Sequence, residues 1–191
     1  MRDNTIEQIS VISGKGGTGK TSFVAAFSCM ESGMVLADCD VDAADLHLLV
    51  SSDPERDCEA EPFVSGVKAV IDVDLFIGCG RCSEVCRFHA VKKIEKTGPD
   101  VDYGFQIVQL QCEGCGCCHD ECPTGAVSLA DNFAGNMFVS PSRSGTLIQA
   151  RLGPGEGTSG KLVARVREKA KEIAGQEDAR IAVSYTHLTL P

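Results

Sequence analysis

Eight of the eleven cysteines of this chain lie between Cys79 and Cys122, and this crowding limits what the segment can fold into. Residues 1–10 are polar and acidic, unlike a signal peptide, and no apolar run approaches the roughly 20 residues that span a bilayer. We therefore expect a cytoplasmic protein. Because structural disulfides are rare in reducing compartments and an odd count cannot pair fully, the cysteines indicate metal or redox chemistry.

The cysteine-rich segment contains a repeat. Phe76–Val91 aligns with Cys112–Val127 at a constant offset of 36 residues. The second copy reads C-x₂-C-x₂-C-x₃-C-P, the bacterial ferredoxin pattern in which the fourth cysteine serves the other cluster. Its four cysteines are Cys112, Cys115, Cys118 and Cys122.

The first copy supplies one cysteine fewer, because Phe76 stands at its first ligand position. Exchange of the fourth cysteines gives one complete [4Fe–4S] site, with the ligands Cys86, Cys112, Cys115 and Cys118. The other site keeps three ligands, which are Cys79, Cys82 and Cys122. Since phenylalanine cannot bind iron, this site is a three-cysteine cluster, recruits a substitute such as Cys117, or is empty. A sequencing error at the Phe76 codon is a further explanation.

Other uses of the cysteines are less consistent with the spacing. Paired C-x₂-C units also form tetrahedral zinc sites, but zinc has no need of the three-plus-one spacing or of the terminal proline. Disulfides conflict with the expected compartment. The remaining cysteines, Cys29, Cys39 and Cys58, stand alone and are expected to be inert thiols, and His89 and His119 to be loop histidines.

A glycine-rich loop near the N terminus predicts a phosphate site. It lies between a predicted strand, Ile6–Ile12, and a predicted helix, Lys20–Met30, and it satisfies G-x-x-x-x-G-K-[ST]. Backbone N–H groups of such a loop wrap phosphates, while Lys20 neutralises the β- and γ-phosphates and the Thr21 hydroxyl binds Mg²⁺. We expect ATP and Mg²⁺ as cofactors. The expected nucleotide contacts are Gly14, Gly16, Gly17, Thr18, Gly19, Lys20, Thr21 and Ser22.

The loop also carries Lys15 directly after its first glycine, and in this respect it resembles the deviant Walker A loop of the MinD and ParA ATPases. In that family the extra lysine reaches the partner's nucleotide, so the resemblance implies an ATP-dependent homodimer with Lys15 and Lys20 in catalysis. A second predicted strand, Met34–Ala37, precedes an acidic run. The resemblance places Asp38 and Asp40 in an Asp-x-Asp switch, with Asp38 near Mg²⁺ and Asp40 acting on the attacking water. Solvated loop carboxylates are the alternative.

Together, the loop and the cysteine repeat resemble the MinD-superfamily P-loop ATPases that contain an inserted two-cluster ferredoxin domain. The fold class expected from this resemblance is α/β, a doubly wound P-loop sheet with an inserted α+β bacterial-type ferredoxin domain. The predicted segments are an ATPase part at 1–60, the ferredoxin insert at 61–131 and a continuation of the ATPase at 132–183. Ser51–Pro62 is predicted to be the linker into the insert, and the continuation to contain a strand, Leu147–Leu152, and a helix, Lys161–Ala174.

The C-terminal part departs from this family. Ala179–Val183 resembles the strand that leads into an Asp-x-x-Gly switch, but SYTHLTLP follows it. We expect a truncated ATPase sheet that lacks a Walker B segment and about 100 residues. Residues 184–191 are expected to be a non-native tail. A second loop, GEGTSGKL, has the glycine and lysine spacing, but Leu162 stands where Mg²⁺ requires a hydroxyl, so we expect a helix cap there.

The net charge of the chain disfavours some classes of function. Eighteen Lys and Arg against twenty-seven Asp and Glu give a net charge of −9, which opposes broad affinity for nucleic acid or an anionic membrane. This disfavours a ParA-type partitioning ATPase. We expect an ATPase whose nucleotide state controls electron transfer or iron–sulfur cluster transfer to an unidentified partner. The alternative is a ferredoxin-like electron carrier whose P-loop part is a docking or dimerisation platform.

Overall fold

The strands and helices of the chain follow its alternation of apolar segments and glycine-rich loops. The computed structural model describes residues 6–13, 15, 17–51, 59–95, 103–177, 179 and 181–187. In chain order, the elements are β1 (Glu7–Ser13), α1 (Lys20–Ser28), β2 (Met34–Asp38), α2 (Leu46–Leu49), β3 (Glu59–Ile71), α3 (Arg81–Glu84), β4 (Val91–Glu95), β5 (Tyr103–Ile107), α4 (Cys117–Asp120), β6 (Val127–Ser142), β7 (Gly145–Leu152), α5 (Ser159–Gln176) and β8 (Ile181–His187). The chain divides into two compact units, one formed by 1–63 with 134–191 and the other by 64–133.

The larger sheet has the strand order β1-β8-β2-β7-β6-β3. Strands β1, β8, β2 and β7 are parallel, whereas β6 runs antiparallel to β7. Parallel neighbours require crossover connections, and α5 provides one between β7 and β8. Because the carboxyl ends of parallel strands meet at one edge, the segments that follow β1 and β2 emerge on the same side of the sheet.

Two apolar clusters cover the opposite faces of this sheet. Val35 and Ala37 of β2 pack with the buried stripe of α5, while Met34 and Leu36 pack with residues of α1 and α2. All five residues of β2 are buried, since both of its faces are covered. The stripe on α5 consists of Leu162, Val166, Ala170, Ile173 and Ala174, at helical spacing.

The unit 64–133 has a small core of its own. Strands β4 and β5 pair antiparallel within it. The buried members of its core cluster are Ala69, Cys82, Val91, Ile107, Cys118 and Val127. Two of the six are cysteines of the repeat, so the core of this unit and its candidate metal ligands overlap.

Several predicted elements are confirmed: the first strand, the helix after the glycine loop and the helix at 161–174 lie within a few residues of β1, α1 and α5. The linker prediction is wrong for residues 59–62, which belong to β3, and residues 52–58 lie outside the described residues. Pro62 is compatible with β3 because that strand ends the strand order of the sheet, where a missing N–H donor costs little.

Two further differences concern β6 and β8. Strand β6 covers 127–142, where the sequence analysis predicted no strand. The strand expected at 179–183 begins later and continues through residues 184–187, which pair with β1 as part of β8. Residues 188–191 lie outside the described part of the chain. Within that described part, none of the helices has the length and apolar character needed to cross a membrane.

Candidate metal centres and phosphate loop

The two copies of the cysteine repeat have the same backbone conformation. Helices α3 and α4 lie 36 residues apart, the offset of the repeat. Each follows a glycine in the left-handed region, Gly80 with φ 81° and Gly116 with φ 82°. A side chain is disfavoured at this φ, so glycine at both positions lets the chain turn sharply into each short helix.

Four of the predicted ligands line one cavity of about 320 Å³, counting the open space at its mouth. They are Cys86, Cys112, Cys115 and Cys118. Cys86 comes from the first copy of the repeat and the other three from the second. Apolar residues complete the wall, among them Ala69, Val91 and Ile107 of the core. The structure therefore brings together at one cavity the four cysteines that the sequence analysis assigned to one cluster.

Backbone groups hold two of these sulfurs. The N–H of Ala69 donates to Cys112 Sγ at 3.5 Å, and the N–H of Ala90 donates to Cys86 Sγ at 3.3 Å. Burial raises the pKa of the Cys118 thiol to about 11, and the neighbouring Cys112 adds to this rise. An anionic thiolate is therefore unfavourable here without a cation. Bound iron would provide that positive charge, because a coordinating thiol loses its proton.

Cys117 lies beside this cavity but does not line it. Its side chain is exposed, and the neighbouring Cys115 side chain raises the pKa of its thiol. The backbone N–H of Cys117 lowers the pKa of Cys115. Its neighbour His119, expected in a loop, lies in α4, where its Nδ1 is 2.7 Å from the carbonyl oxygen of Val127.

Three other cysteines line a second cavity of about 280 Å³, again counting its open mouth. They are Cys79, Cys82 and Cys122. Burial raises the pKa of Cys82. At Cys122 burial also acts to raise the pKa, but N–H groups of Val127 and Thr124 outweigh it, so the pKa of this thiol is lowered. These three cysteines are the ones that the sequence analysis left with an incomplete site.

Phe76 lines the three-cysteine cavity as well. Its ring lies edge-on to that of Phe105, with centroids 6.1 Å apart and planes at 66°. Near this cavity, Arg81 Nη2 donates to the carboxylate of Glu121 at 2.8 Å, which ties the two copies of the repeat together. Among the described residues, no three His, Cys, Asp or Glu side chains stand close enough to hold a single metal ion.

The glycine loop joins β1 to α1. Gly19 is left-handed, with φ 82°, and Lys20, the first residue of α1, is buried to 8% exposure. Lys15 is exposed, and its carbonyl oxygen accepts the Thr18 hydroxyl at 3.4 Å. The remaining described loop positions, Gly17, Thr18, Gly19 and Ser22, are exposed and Thr21 is half-buried. Gly14 and Gly16 lie outside the described residues.

The predicted switch carboxylates lie at the carboxyl end of β2. Asp38 is fully buried, and its carboxylate accepts the N–H groups of Asp40 at 3.0 Å and of Leu46 at 3.2 Å. Asp40 is half-buried. Through these two hydrogen bonds Asp38 fixes the loop between β2 and α2, a role that no motif in the sequence indicates.

Gln149 is a second feature that sequence reasoning missed. It is paired in register with Asp38, on β7, and is fully buried. Neither its Oε1 nor its Nε2 has a hydrogen-bond partner among the described residues. A buried amide of this kind is costly, and no motif in the sequence signals it.

Comparison with known proteins identifies part of the chain. Residues 77–126 match the 4Fe-4S dicluster domain family. The chain is also 30% identical over 175 residues to an uncharacterized protein of Methanocaldococcus jannaschii, and the aligned region covers 90% of this chain and 57% of that relative. The chain thus spans a little over half the length of the relative. The prediction of a ferredoxin-like domain with an iron–sulfur cofactor is confirmed, whereas ATP, Mg²⁺, the ATPase resemblance and the homodimer stay predictions.

Proposed function

We propose that this mixed α/β chain, with its 4Fe-4S dicluster domain, is an ATP-binding and ATP-hydrolysing iron–sulfur protein. In this proposal, the nucleotide state controls electron transfer or iron–sulfur cluster transfer. The observation that carries it is the cavity lined by four cysteines from both copies of the repeat, inside the segment that matches the dicluster family. Electron-transfer capacity follows from such a domain, and the coupling to ATP is the further step.

The residues of this cavity suit a [4Fe–4S] cluster in number and chemistry. Thiolates are the usual ligands of such clusters, and four of them surround one space. A bound cluster would supply one-electron transfer. The chain's own contribution is to hold the sulfurs, to donate N–H groups to Cys112 and Cys86, and to exclude water with apolar walls. Hydrogen bonds to the sulfurs and solvent access both tune the potential of a cluster.

The loop after β1 supports the ATP part of the proposal. Strand, glycine loop and helix follow one another in the order that a phosphate loop requires, and Lys20 begins the helix. Lys15 and Lys20 provide local positive charge in a chain whose net charge is −9. Asp38 ends β2 and Asp40 follows it at the same edge of the sheet, where Mg²⁺ and the attacking water are expected.

Homodimerisation is part of the same proposal. Lys15 is exposed and therefore accessible to a second subunit. By the resemblance to the MinD and ParA loop, it would contact the nucleotide bound to the partner. The proposed dimer hands electrons or a cluster to a partner protein, and neither nucleic acid nor a membrane surface is expected to take part.

Anaerobic ATP turnover, measured with the clusters oxidised and then reduced, tests the coupling. We expect the two rates to differ, and Lys20→Ala to abolish turnover without changing the iron content. Lys161→Ala is the matched control, because this exposed lysine follows a similar glycine spacing but precedes Leu162 instead of a hydroxyl residue. Equal rates in both redox states, or equal turnover in the two lysine variants, contradict the proposal.

A ferredoxin-like carrier is the second candidate. It is favoured by the extent of the family match, which covers the cysteine repeat alone. In that case the P-loop part is a docking or dimerisation platform. Electron transfer from a chemical reductant to a soluble acceptor would then be the same in Lys20→Ala as in the unmodified chain, with or without ATP.

A further inference from the structure

The three-cysteine cavity does not fit the second [4Fe–4S] cluster that a dicluster domain implies. We propose that Cys79, Cys82 and Cys122 hold a [3Fe–4S] cluster, a cubane that lacks the iron on the side of Phe76. The inference rests on the iron–sulfur part of the proposed function and deepens it, since the two clusters of the domain would then be chemically different.

The ligand that this cavity lacks is the one at position 76. Phe76 and Cys112 are equivalent in the repeat, and each lines the cavity of its own site. The Phe76 ring also packs against Phe105. A carbon-only side chain therefore occupies the corner where the other cavity has a thiol, and carbon atoms of a phenyl ring do not bind iron in such clusters.

A replacement for the missing thiolate would have to come from the other side chains that line this cavity. Apart from the three cysteines, the described residues that line this cavity include no His, Asp, Glu or Cys. The polar side chains in the lining belong to Arg81 and Thr124. The Arg81 guanidinium has only N–H donors and no atom that could bind iron, and it donates to Glu121. The Thr124 hydroxyl lies 3.8 Å from Cys122 Sγ. Neither offers a thiolate for a fourth iron.

Cys117 is not positioned to complete the set. This supernumerary cysteine lines neither cavity, and it directly precedes Cys118, a ligand of the four-cysteine site. The structure therefore favours the three-cysteine interpretation over a substitute ligand.

Formation of a [3Fe–4S] core from a [4Fe–4S]²⁺ core by loss of one iron needs no added oxidant. A [4Fe–4S]²⁺ core that releases its unanchored iron as Fe²⁺ leaves a neutral [3Fe–4S] core, and the three thiolate bonds are kept. No electron is transferred in this step, and the released Fe²⁺ is hydrated by solvent. Oxidation by ferricyanide then removes one electron from the [3Fe–4S] core and reduces one ferricyanide. The resulting [3Fe–4S]⁺ core has one unpaired spin and is visible by electron paramagnetic resonance.

The test is metal analysis and electron paramagnetic resonance of the full chain after anaerobic reconstitution with iron and sulfide. We expect about 7 iron and about 8 acid-labile sulfide per chain, which is the sum of one [4Fe–4S] and one [3Fe–4S] cluster. After ferricyanide oxidation, we expect a near-isotropic signal that integrates to about one spin per chain. About 8 iron without this signal, or about 4 iron in total, overturns the inference.

Variants at position 76 test whether the missing thiolate is the reason for a [3Fe–4S] cluster at this site. Phe76→Cys supplies the fourth thiolate and is expected to abolish the signal while raising the iron content to about 8. Phe76→Ala removes the ring without adding a thiolate, so it keeps the signal and controls for the loss of packing on Phe105. Cys117→Ser also keeps the signal, and its loss in that variant would assign Cys117 as a ligand and contradict the inference.

Failure of the inference differs from failure of the proposed function. If neither cavity retained iron with sulfide, the iron–sulfur assignment itself would fail, and the [3Fe–4S] inference with it. A chain with about 8 iron, no ferricyanide signal and redox-dependent ATP turnover would overturn the inference alone. The signal without redox-dependent turnover would support the inference and contradict the coupling.

Discussion

At the scale of residues, Cys118 combines a core position with a candidate ligand position. It is 8% exposed and lines the four-cysteine cavity. We predict that Cys118→Ala lowers the iron content by at least about 1 per chain, because the four-cysteine site loses the thiolate that anchors one of its four iron atoms. Cys29→Ala is the control, since the Cys29 thiol is exposed, donates to the carbonyl oxygen of Ala25 and lines neither cavity. Iron analysis of both variants checks this, and equal iron contents would argue against the assignment.

A second residue-scale prediction concerns Gln149. Its buried amide has no partner among the described residues, so an apolar side chain of similar length removes an uncompensated desolvation cost. We predict that Gln149→Met raises the free energy of unfolding by about 1–3 kcal/mol. The exposed Gln176→Met is expected to change it by less than about 0.5 kcal/mol. Urea denaturation measures both, and a loss of stability in Gln149→Met would mean that the amide is satisfied in solution.

The cysteines and Gln149 show which site residues a sequence reveals. The thiols follow a spacing that reports their chemistry, so the sequence predicted the two groups that line the two cavities. Gln149 lies in a segment typical of a buried strand, and its burial and its lack of a hydrogen-bond partner within the described part of the chain depend on the pairing of β7 with β2. Tertiary contacts of that kind leave no local pattern.

At the scale of elements, the turn into β7 depends on one glycine. Gly145 has φ +139°, and a Cβ there would lie 2.1 Å from the carbonyl oxygen of Met34 on β2. We predict that Gly145→Ala destabilises the chain by about 2–3 kcal/mol, through backbone strain and overpacking. The unmodified and variant chains are compared by thermal unfolding.

Helix α5 offers the matched glycine. A Cβ at Gly175 meets no described atom within 4 Å, and the position lies near the end of the helix. Gly175→Ala is expected to stabilise the chain by up to about 1 kcal/mol, since alanine loses less entropy in a helix. If both alanine variants shifted the melting temperature in the same direction, the local arguments for Gly145 and Gly175 would be wrong.

Helices proved easier to predict than the long strands. The periodic apolar residues of α5 fix its face and its approximate length, because helical spacing is a local signal. Strands β3 and β6 contain residues such as Pro62, Asn132 and Pro141 that are typical of turns and loops. Their extended form depends on neighbours in the sheet, so the sequence analysis assigned one of them in part to a linker and missed the other.

At the scale of the whole molecule, the two compact units differ in what stabilises them. In the unit 64–133, two of the six buried residues that form the described core cluster are cysteines. Because metal binding contributes folding free energy to a small domain, we predict that stripping the iron lowers the hydrogen-exchange protection of residues 64–133 by roughly tenfold or more. The amides of 1–63 and 134–177 are expected to change little. Exchange measured by mass spectrometry before and after chelation checks this, and a uniform change along the chain would contradict it.

Cysteine density is the feature from which the sequence analysis predicts an insert at 61–131, and that insert stays a prediction. The compact unit of the structure covers 64–133. Thiols are needed only where the cavities form, so composition can signal such a segment. The proposed coupling of nucleotide to cluster has no comparable signature in the sequence, since such coupling depends on states of the molecule and not on residue types.

The mixed origin of the four-cysteine cavity has a consequence for how a cluster site assembles. Three of its thiols come from the second copy of the repeat and one, Cys86, from the first, so neither copy is self-sufficient. A single copy would need a cysteine from another molecule, whereas two copies joined in one chain make that encounter intramolecular, at an effective concentration on the order of millimolar. The two sites also tolerate change independently, because Phe76 removes a ligand from one site and leaves the ligand set of the other whole.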